Sequence, residues 1–170
     1  MNKLMITLLT LVCSNVFANC DISPAARFQS DSQQVVHDLK HRLSWVNCVV
    51  GLSLNECVTP TLNRINVSGF SAIETAAATS IAGYDDWRLP NVKELHALFE
   101  DECTASQRNS VFVFPSNLNR VWSGTTGASG ASAGLLLLNV DNLQIQSWDL
   151  ESAGAAVMLV RDMNSQGIKE

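Results

Sequence analysis

Few side chains in this 170-residue sequence have the types and spacing that chemistry would require. His37 and His41 lie four residues apart, and on one face of a helix that spacing could hold zinc. Asp85 and Asp86 are adjacent carboxylates, and Glu100-Asp101-Glu102 is an acidic run that could bind a cation. The alternatives without chemistry are exposed turn histidines and a solvated helix end. We expect no metal and no cofactor, and calcium is left open without a motif to support it.

Signatures of the common enzyme classes do not occur in the sequence. It contains no Gly-x-Ser-x-Gly, His-Glu-x-x-His, phosphate-binding loop or dinucleotide fingerprint. Neighbouring residues of a strand point to opposite faces, so Asp85 and Asp86 are poorly placed to share an acid–base reaction. The sequence therefore predicts a protein that is not an enzyme.

Composition and charge limit the possible partners. Hydrophobic residues make up 46% of the chain and charged residues 16%, which is typical of a globular domain rather than a disordered one. The net charge of −5 disfavours nucleic acid as a partner, because binding phosphates needs a basic face. After the N-terminus no apolar run approaches the roughly 20 residues of a membrane helix.

The N-terminal segment Met1–Ala18 has the form of a signal peptide. Lys3 supplies the positive charge, Leu4–Val12 is the apolar stretch, and Val16-Phe17-Ala18 fits the cleavage rule. We expect cleavage after Ala18 and export to the periplasm or the medium. The alternative is a lipoprotein carrying lipid on Cys20.

Cysteine usage agrees with an oxidising compartment. Four cysteines follow the signal peptide, Cys20, Cys48, Cys57 and Cys103, and no Cys-x-x-Cys occurs. This even number predicts structural disulfides, although three pairings are possible. Cys48–Cys57 would close a short loop and Cys20–Cys103 would tie the mature N-terminus to the body, so we favour that pairing over a reactive thiol or a thiolate metal site.

The elements that would position any site are arranged around the stretch Gly83–Leu95. Gly83 is expected to close a preceding helix. Trp87 and Leu89 alternate with polar neighbours, which predicts a half-buried strand, and Pro90 ends it.

A helix follows that corner. Asn91 and Glu94 form a capping box, and the apolar spacing predicts a helix over Val92–Glu102. Arg88 precedes the helix, and its planar guanidinium is suited to bridge strand and helix through Glu94. A second capping box, Ser71 with Glu74, predicts another helix that runs through Ile81.

Strands account for most of the remaining pattern. Hairpins are predicted where two short β-rich runs flank a turn, and a last strand precedes the polar tail. These runs are Val35–Asp38 with Arg42–Val46, Leu135–Val140 with Leu143–Trp148 around the turn Asp141-Asn142, and Ala155–Arg161. Gly127–Ala133 is expected to be a flexible loop of small residues.

Several of these motifs together resemble the Lcl C-terminal domain family, bacterial exported domains of mostly unknown function. The resemblance is carried by Trp87-Arg88-Leu89-Pro90-Asn91-Val92-Lys93-Glu94-Leu95, by Val36-x-Asp38, Leu43-x-Trp45 and Cys48, by Phe114-Pro115, by Val121–Thr126 and by Val160-Arg161. The chain departs from the family's Thr-Gly turn at His41-Arg42, and from its second serine at Gly124.

The Arg-Leu-Pro core also looks like that of formylglycine-generating-enzyme-like domains. This resemblance implies an α+β, C-type-lectin-like fold: a mixed antiparallel sheet with two helices, stapled by disulfides. It implies shape and not activity, because those enzymes need spare reactive cysteines. The expected organisation is a signal peptide over 1–18, an irregular lead-in over 19–33, the domain over 34–163 and a polar tail over 164–170.

The function that we expect is an exported module that binds a glycan or an envelope protein through loops. The alternatives are an enzyme of the same fold with an unrecognised site and a purely structural envelope component. Candidate ligand contacts are placed in the loop Arg120–Ala133 and around the second hairpin turn, with two tryptophans for sugar stacking: Trp122, Ser123, Thr125, Asp141, Asn142 and Trp148.

A polyanion is the competing ligand. The best-known member of the family is associated with sulfated glycosaminoglycans, and Lys40-His41-Arg42 is the tight basic group in this chain. The acidic balance favours a neutral glycan or a protein.

Overall fold

The computed structural model describes residues 27–31, 34–50, 66–100, 105–130 and 132–163. The predicted signal peptide, the polar tail, Cys20, Cys57 and Cys103 lie outside these ranges. Nine strands and three helices occur in the described part. In chain order they are β1 Phe28–Ser30, β2 Val35–Asp38, β3 Leu43–Val46, β4 Val67–Ser68, α1 Gly69–Ala78, α2 Val92–Glu100, α3 Ala105–Val111, β5 Arg120–Ser129, β6 Ser132–Asn139, β7 Ile145–Asp149, β8 Ala153–Ala155 and β9 Val160–Asp162.

The strands form three antiparallel sheets, so the α+β class is confirmed. The strand orders are β1-β2-β3-β9, β4-β8 and β5-β6-β7. Both predicted hairpins are present, with Val36 opposite Trp45 in the first and Leu138 opposite Ile145 in the second. β1 pairs with β2 within a segment that the sequence had predicted to be irregular.

The helices differ from the prediction in number and in limits. Two were expected, and α3 is a third, directly before the apolar segment that begins at Phe112. The N-cap of α1 is Ser68, three residues before the predicted cap, Ser71. The Ser68 hydroxyl accepts a hydrogen bond from the backbone N–H of Ser71 at 3.2 Å. The helix ends at Ala78 rather than Ile81.

Gly83 does not cap that helix as predicted. Ile81 and Tyr84 exchange both backbone hydrogen bonds, at 3.1 and 3.0 Å, across a two-residue turn. Ala82 and Gly83 have φ values of 56° and 76°, the left-handed geometry of a type I′ turn. The glycine is therefore used in a tight turn, where positive φ carries no steric cost.

A buried segment, Ala155–Val160, links the three sheets. Every residue in it is at most 2% exposed. The single strand expected here is divided: Ala155 lies in β8, Ala156 bonds to Arg120 and Trp122 of β5, and Val160 lies in β9 and bridges Arg88. Two core clusters lie against this segment, one around Trp45 and one around Trp122.

The described part of the chain has no helix of the length and apolarity that crossing a membrane would take.

Candidate ligand-binding surface

The corner Leu89–Glu94 has the capping box that the sequence predicts, but the strand predicted over Trp87–Leu89 is wrong, because only Arg88 forms an isolated bridge there, to Val160. Asn91 Oδ1 accepts from the backbone N–H groups of Lys93 and Glu94 at 2.9 Å, and Glu94 Oε2 accepts from the Asn91 N–H at 2.7 Å. These reciprocal bonds satisfy N–H groups that a helix start leaves without partners. Trp87 and Leu89 are buried, and the Trp87 ring N–H donates to the Ile81 carbonyl.

Arg88 makes the expected bridge and one contact more. Its two terminal nitrogens donate to the two carboxylate oxygens of Glu94, each at 2.9 Å. The same guanidinium donates to Asp162 in β9 at 2.7 Å. The hydrogen bonds that Arg88 donates to Glu94 raise the pKa of Arg88, against the opposing effect of burial. The corner is thereby fixed to both the helix and the first sheet.

The candidate contacts Trp122 and Ser123 are wrong as an exposed ligand site. Both residues are fully buried. The Trp122 ring N–H donates to the Val67 carbonyl at 2.9 Å, and the Ser123 hydroxyl donates to the Leu136 carbonyl at 2.8 Å. The predicted loop is in fact the hairpin of β5 and β6, and this end of it packs inward.

Thr125 joins the motif Val121–Thr126 to the corner Leu89–Glu94. Its hydroxyl accepts the backbone N–H of Val92 at 3.0 Å, and the neighbouring Gly124 N–H donates to the Pro90 carbonyl at 2.8 Å. A Cβ at position 124 would lie 3.3 Å from the Leu89 carbonyl oxygen, which is a tight approach. The departure at Gly124 therefore coincides with close backbone packing against the corner.

Asp141 and Asn142 are exposed in the turn between β6 and β7. Their backbone N–H groups donate to Asn139 Oδ1 at 2.9 and 3.2 Å, and Asn142 Oδ1 accepts from the Gln144 N–H. The turn is thus shaped by its own side chains. It lies at one end of the hairpin, whereas Trp148 pairs with Leu135 further along. The structure does not bring these candidates together.

Trp148 is half-buried and lies on a surface that the sequence did not define. The guanidinium carbon of Arg120 is 4.9 Å from the centre of its ring. On its pyrrole side the ring lies against Gly154, where a Cβ would come within 2.7 Å of two ring atoms. The ring nitrogen is buried and has no partner among the described residues, so recognition here would use the ring surface and not its N–H.

Arg120 is the residue that sequence reasoning missed. It opens β5 and pairs with Asn139, and the alternation of β5, β6 and β7 places it on the same sheet face as Gln146 and Trp148. Gln146 is exposed, and Arg120 is partly so. We call Arg120, Gln146 and Trp148 the Trp148 surface. Only the strand register relates Arg120 to a tryptophan 28 positions away, so no local sequence signal identified it.

The basic turn Lys40-His41-Arg42 is exposed but contains a buried acid at its base. Asp38, only 1% exposed, accepts from Arg27 at 2.7 Å and lies 2.9 Å from the ring nitrogen of His41. Burial alone would raise the pKa of Asp38, but hydrogen bonds from Arg27 and His41 and their charges outweigh it and lower the pKa. Part of the basic character of the turn is therefore neutralised locally.

Metal-binding groups do not assemble in the described ranges, where no three His, Cys, Asp or Glu side chains cluster. His37 lies in β2 and His41 in the turn that follows it, and His37 contacts the Ser44 hydroxyl at 3.0 Å. In the acidic run, Glu100 lies 3.0 Å from His96, while Asp101 and Glu102 fall outside the described residues.

Cys48 is fully buried and disulfide-bonded. The other three cysteines of the predicted mature chain lie outside the described residues, so the pairing stays a prediction.

The fold and these contacts define the chain as an α+β domain whose sheets are joined at an Arg-Leu-Pro corner. The model of the Lcl C-terminal domain family matches residues 34–161. The chain belongs to this family. None of the curated proteins compared with the chain matches it.

Proposed function

We propose that this protein is an exported, non-catalytic binding module of the bacterial envelope or surface that recognises a glycan through the Trp148 surface. The observation that carries the proposal is the partly exposed Trp148 ring with the Arg120 guanidinium over it. An envelope protein is the second candidate, because Phe70 and Ile73 of α1 are 50% and 44% exposed. Apolar side chains of that size are used at protein interfaces.

The chemistry of the Trp148 surface suits a sugar ring. The apolar C–H face of a sugar packs on an indole, and a rigid aromatic side chain loses little conformational entropy on binding. A guanidinium beside the ring offers several N–H donors in a plane, which match pairs of hydroxyl or carboxylate oxygens. Gly154 supports the ring from beneath and keeps its position defined.

Gln146 extends the same surface. It is exposed, and it precedes Trp148 by two positions on β7, so the two side chains are on one face of the sheet. Its amide both donates and accepts hydrogen bonds, as hydroxyl recognition requires. Trp148 lies three residues beyond the start of β7, roughly 10 Å at 3.3 Å per residue, and the turn Asp141-Asn142 lies further along the hairpin. A ligand of several sugar units would reach both.

The test is a glycan array followed by titration of any positive. Arg120→Ala and Gln146→Ala should each weaken binding by about tenfold, as expected for loss of a hydrogen bond to a charged or polar group. Ile73→Ala, which changes an exposed side chain of α1 and not the Trp148 surface, is the matched control and should bind the glycan as the parent does. Binding that is unchanged in Arg120→Ala would contradict the assignment of this surface.

Salt separates this site from the polyanion site at Lys40-His41-Arg42. Stacking and apolar burial are not screened, so binding of a neutral glycan should change little with salt. Polyanion binding should weaken steeply, because contacts of charged groups with anions release counterions. Salt-sensitive heparin retention that is lost in Lys40→Ala/Arg42→Ala would move the ligand to the basic turn.

Export and disulfide pairing are proposed together with the function, and so is the C-type-lectin-like form of the fold. The proposal is supported by the form of Met1–Ala18 and by the disulfide at Cys48. Intact-mass measurement of protein from the periplasm or medium should give a chain that starts at Asn19. Peptide mapping without reduction should join Cys48 to Cys57 and Cys20 to Cys103. A lipid mass on Cys20 would contradict both statements.

A further inference from the structure

We propose that the outer edge of β7 is a self-association site, where β7 of one copy pairs antiparallel with β7 of a second copy. The two three-stranded sheets would then form one continuous six-stranded sheet. The inference does not depend on the ligand proposed above, since it rests on the backbone of β7 and the charges beside it.

The first observation is the direction of the β7 backbone groups. β7 is the edge strand of the order β5-β6-β7. The Asn139 N–H donates to the Gln144 carbonyl at 2.8 Å, which fixes the hydrogen-bonding parity of the hairpin. By the alternation of an antiparallel ladder, Ile145, Ser147 and Asp149 point their N–H and C=O groups away from β6. Among described residues, no backbone bond outside the strand pairings uses these three.

The second observation is that, among the residues that the structure describes, this edge lacks the features that usually prevent pairing. Such features are lysine, proline, a bulge or a covering element. The strand reads Ile145-Gln146-Ser147-Trp148-Asp149, and its register with β6 continues without a shift. Ile145 is 48% exposed. A regular strand of five residues with an exposed aliphatic side chain is a template for another strand.

The charges and the parity favour a second copy in one register. A two-fold axis through Ser147 places Ser147 opposite the partner's Ser147, and Ile145 opposite the partner's Asp149. All five residues of the strand are then paired. The one charged residue, Asp149, faces an aliphatic side chain and not its own copy, so no like charges oppose each other. The interface is isologous, because each copy contributes the same strand, so assembly through this edge ends at a dimer.

This register puts Gln146 opposite the partner's Trp148 on one sheet face. The Trp148 surfaces of the two copies would lie side by side. A ligand with repeating units could then contact both, and the second contact would be intramolecular.

The test uses two opposite charges at position 145 and sedimentation equilibrium over a range of concentrations. The purified protein should dimerise reversibly. Ile145→Asp would place two aspartates opposite each other at both ends of the strand pair, and should weaken dimerisation by about tenfold or more. Ile145→Lys would face Asp149 instead and should dimerise as well as the parent or better. Ala77→Asp, at an exposed position of α1, is the control and should leave dimerisation unchanged.

Amide hydrogen exchange on the unaltered protein gives a second measurement that does not depend on how the variants fold. The N–H groups of Ile145, Ser147 and Asp149 should exchange more slowly at concentrations where the dimer forms. A protein that is monomeric throughout, or one that is weakened equally by both charges at position 145, overturns the proposal. So does a monomer that pairs this edge with an extended peptide of another protein.

Discussion

Arginine side chains make polar contacts between segments that are distant in the sequence. Arg88 reaches Asp162, and Arg161 reaches Asp86 at 2.6 Å, so both contacts join the corner to β9. Arg161 is buried and its guanidinium carbon lies 3.8 Å from the centre of the Tyr84 ring. A planar fork can satisfy two acceptors and stack on a ring at once, which an ammonium group cannot do.

Replacing Arg88 by lysine should lower stability without a change in ligand selectivity. Lysine keeps the charge but cannot hold both oxygens of Glu94 and Asp162 together. Arg88 is 39% exposed, so solvent screens the contacts, and we expect a loss of about 1 kcal/mol, or roughly 2–4 °C in melting temperature. Thermal unfolding followed by circular dichroism measures this, with Lys93→Arg as control. Equal melting temperatures for parent and Arg88→Lys would show that the fork contributes nothing.

At the scale of elements, the start of α1 shows how a cap is chosen. Ser68 and Ser71 are both serines at plausible positions, and the sequence favoured Ser71 because Glu74 follows at capping-box spacing. The observed N-cap is Ser68, which also belongs to β4 and pairs with β8. The strand pairing holds Ser68 in extended geometry, with ψ at 160°, as an N-cap requires.

Ser68→Ala should therefore destabilise the protein by about 1 kcal/mol, the usual cost of losing an N-cap side chain. Ser71→Ala should cost only a few tenths, because the Ser71 backbone N–H and not its hydroxyl makes the capping bond. Urea unfolding of the two variants gives the comparison directly. A larger loss in Ser71→Ala would return the cap to the position that the sequence favoured.

At the scale of the whole molecule, the buried segment Ala155–Val160 holds the sheets together. It bonds to β5 through Ala156, to Val50 through Val157 and to the corner through Val160. Burying each large apolar side chain of such a segment stabilises the fold by about 1.5–3 kcal/mol. One short segment thus contributes to both core clusters.

Two ion pairs, Arg27–Asp38 and Arg161–Asp86, should make the stability of the protein sensitive to acid. Burial alone would raise the pKa of Asp38, but hydrogen bonds from Arg27 and His41 outweigh burial and lower the pKa. A hydrogen bond from Arg161 lowers the pKa of Asp86. A carboxyl whose pKa is lower when folded stabilises the protein above its unfolded pKa, about 3.9, and loses this as the pH falls through the folded value. We therefore expect the free energy of unfolding to fall as the pH drops below about 4.

Asp38→Asn should lose part of that acid dependence and be less stable at neutral pH. The asparagine removes the negative charge that is paired with the buried Arg27 guanidinium, and breaking a buried pair costs about 3–5 kcal/mol. Urea unfolding at pH values from neutral to acidic would measure both effects. Asp141→Asn, in the exposed turn, is the control and should keep the parent's pH dependence. An acid slope in Asp38→Asn equal to the parent's would exclude Asp38 as its source.

Local patterns in the sequence determined much of this protein. The capping box at Asn91 and Glu94, the burial of Trp87 and Leu89, and both hairpins follow from short-range rules of spacing, backbone geometry and periodicity. These rules depend on residues a few positions apart, which the sequence places together by itself. For the same reason the family could be identified from motifs in their order along the chain.

Other features were decided only by tertiary structure. The small residues after Gly124 have weak propensities, and it is pairing with Ser132–Leu135 that makes them a strand rather than a loop. Trp122 and Trp148 are alike as residue types, yet one is buried with its N–H bonded to Val67 and the other is partly exposed beside Arg120. Burial and partnership are set by segments distant in sequence. The candidate ligand surface therefore became definable only when the strand register was known.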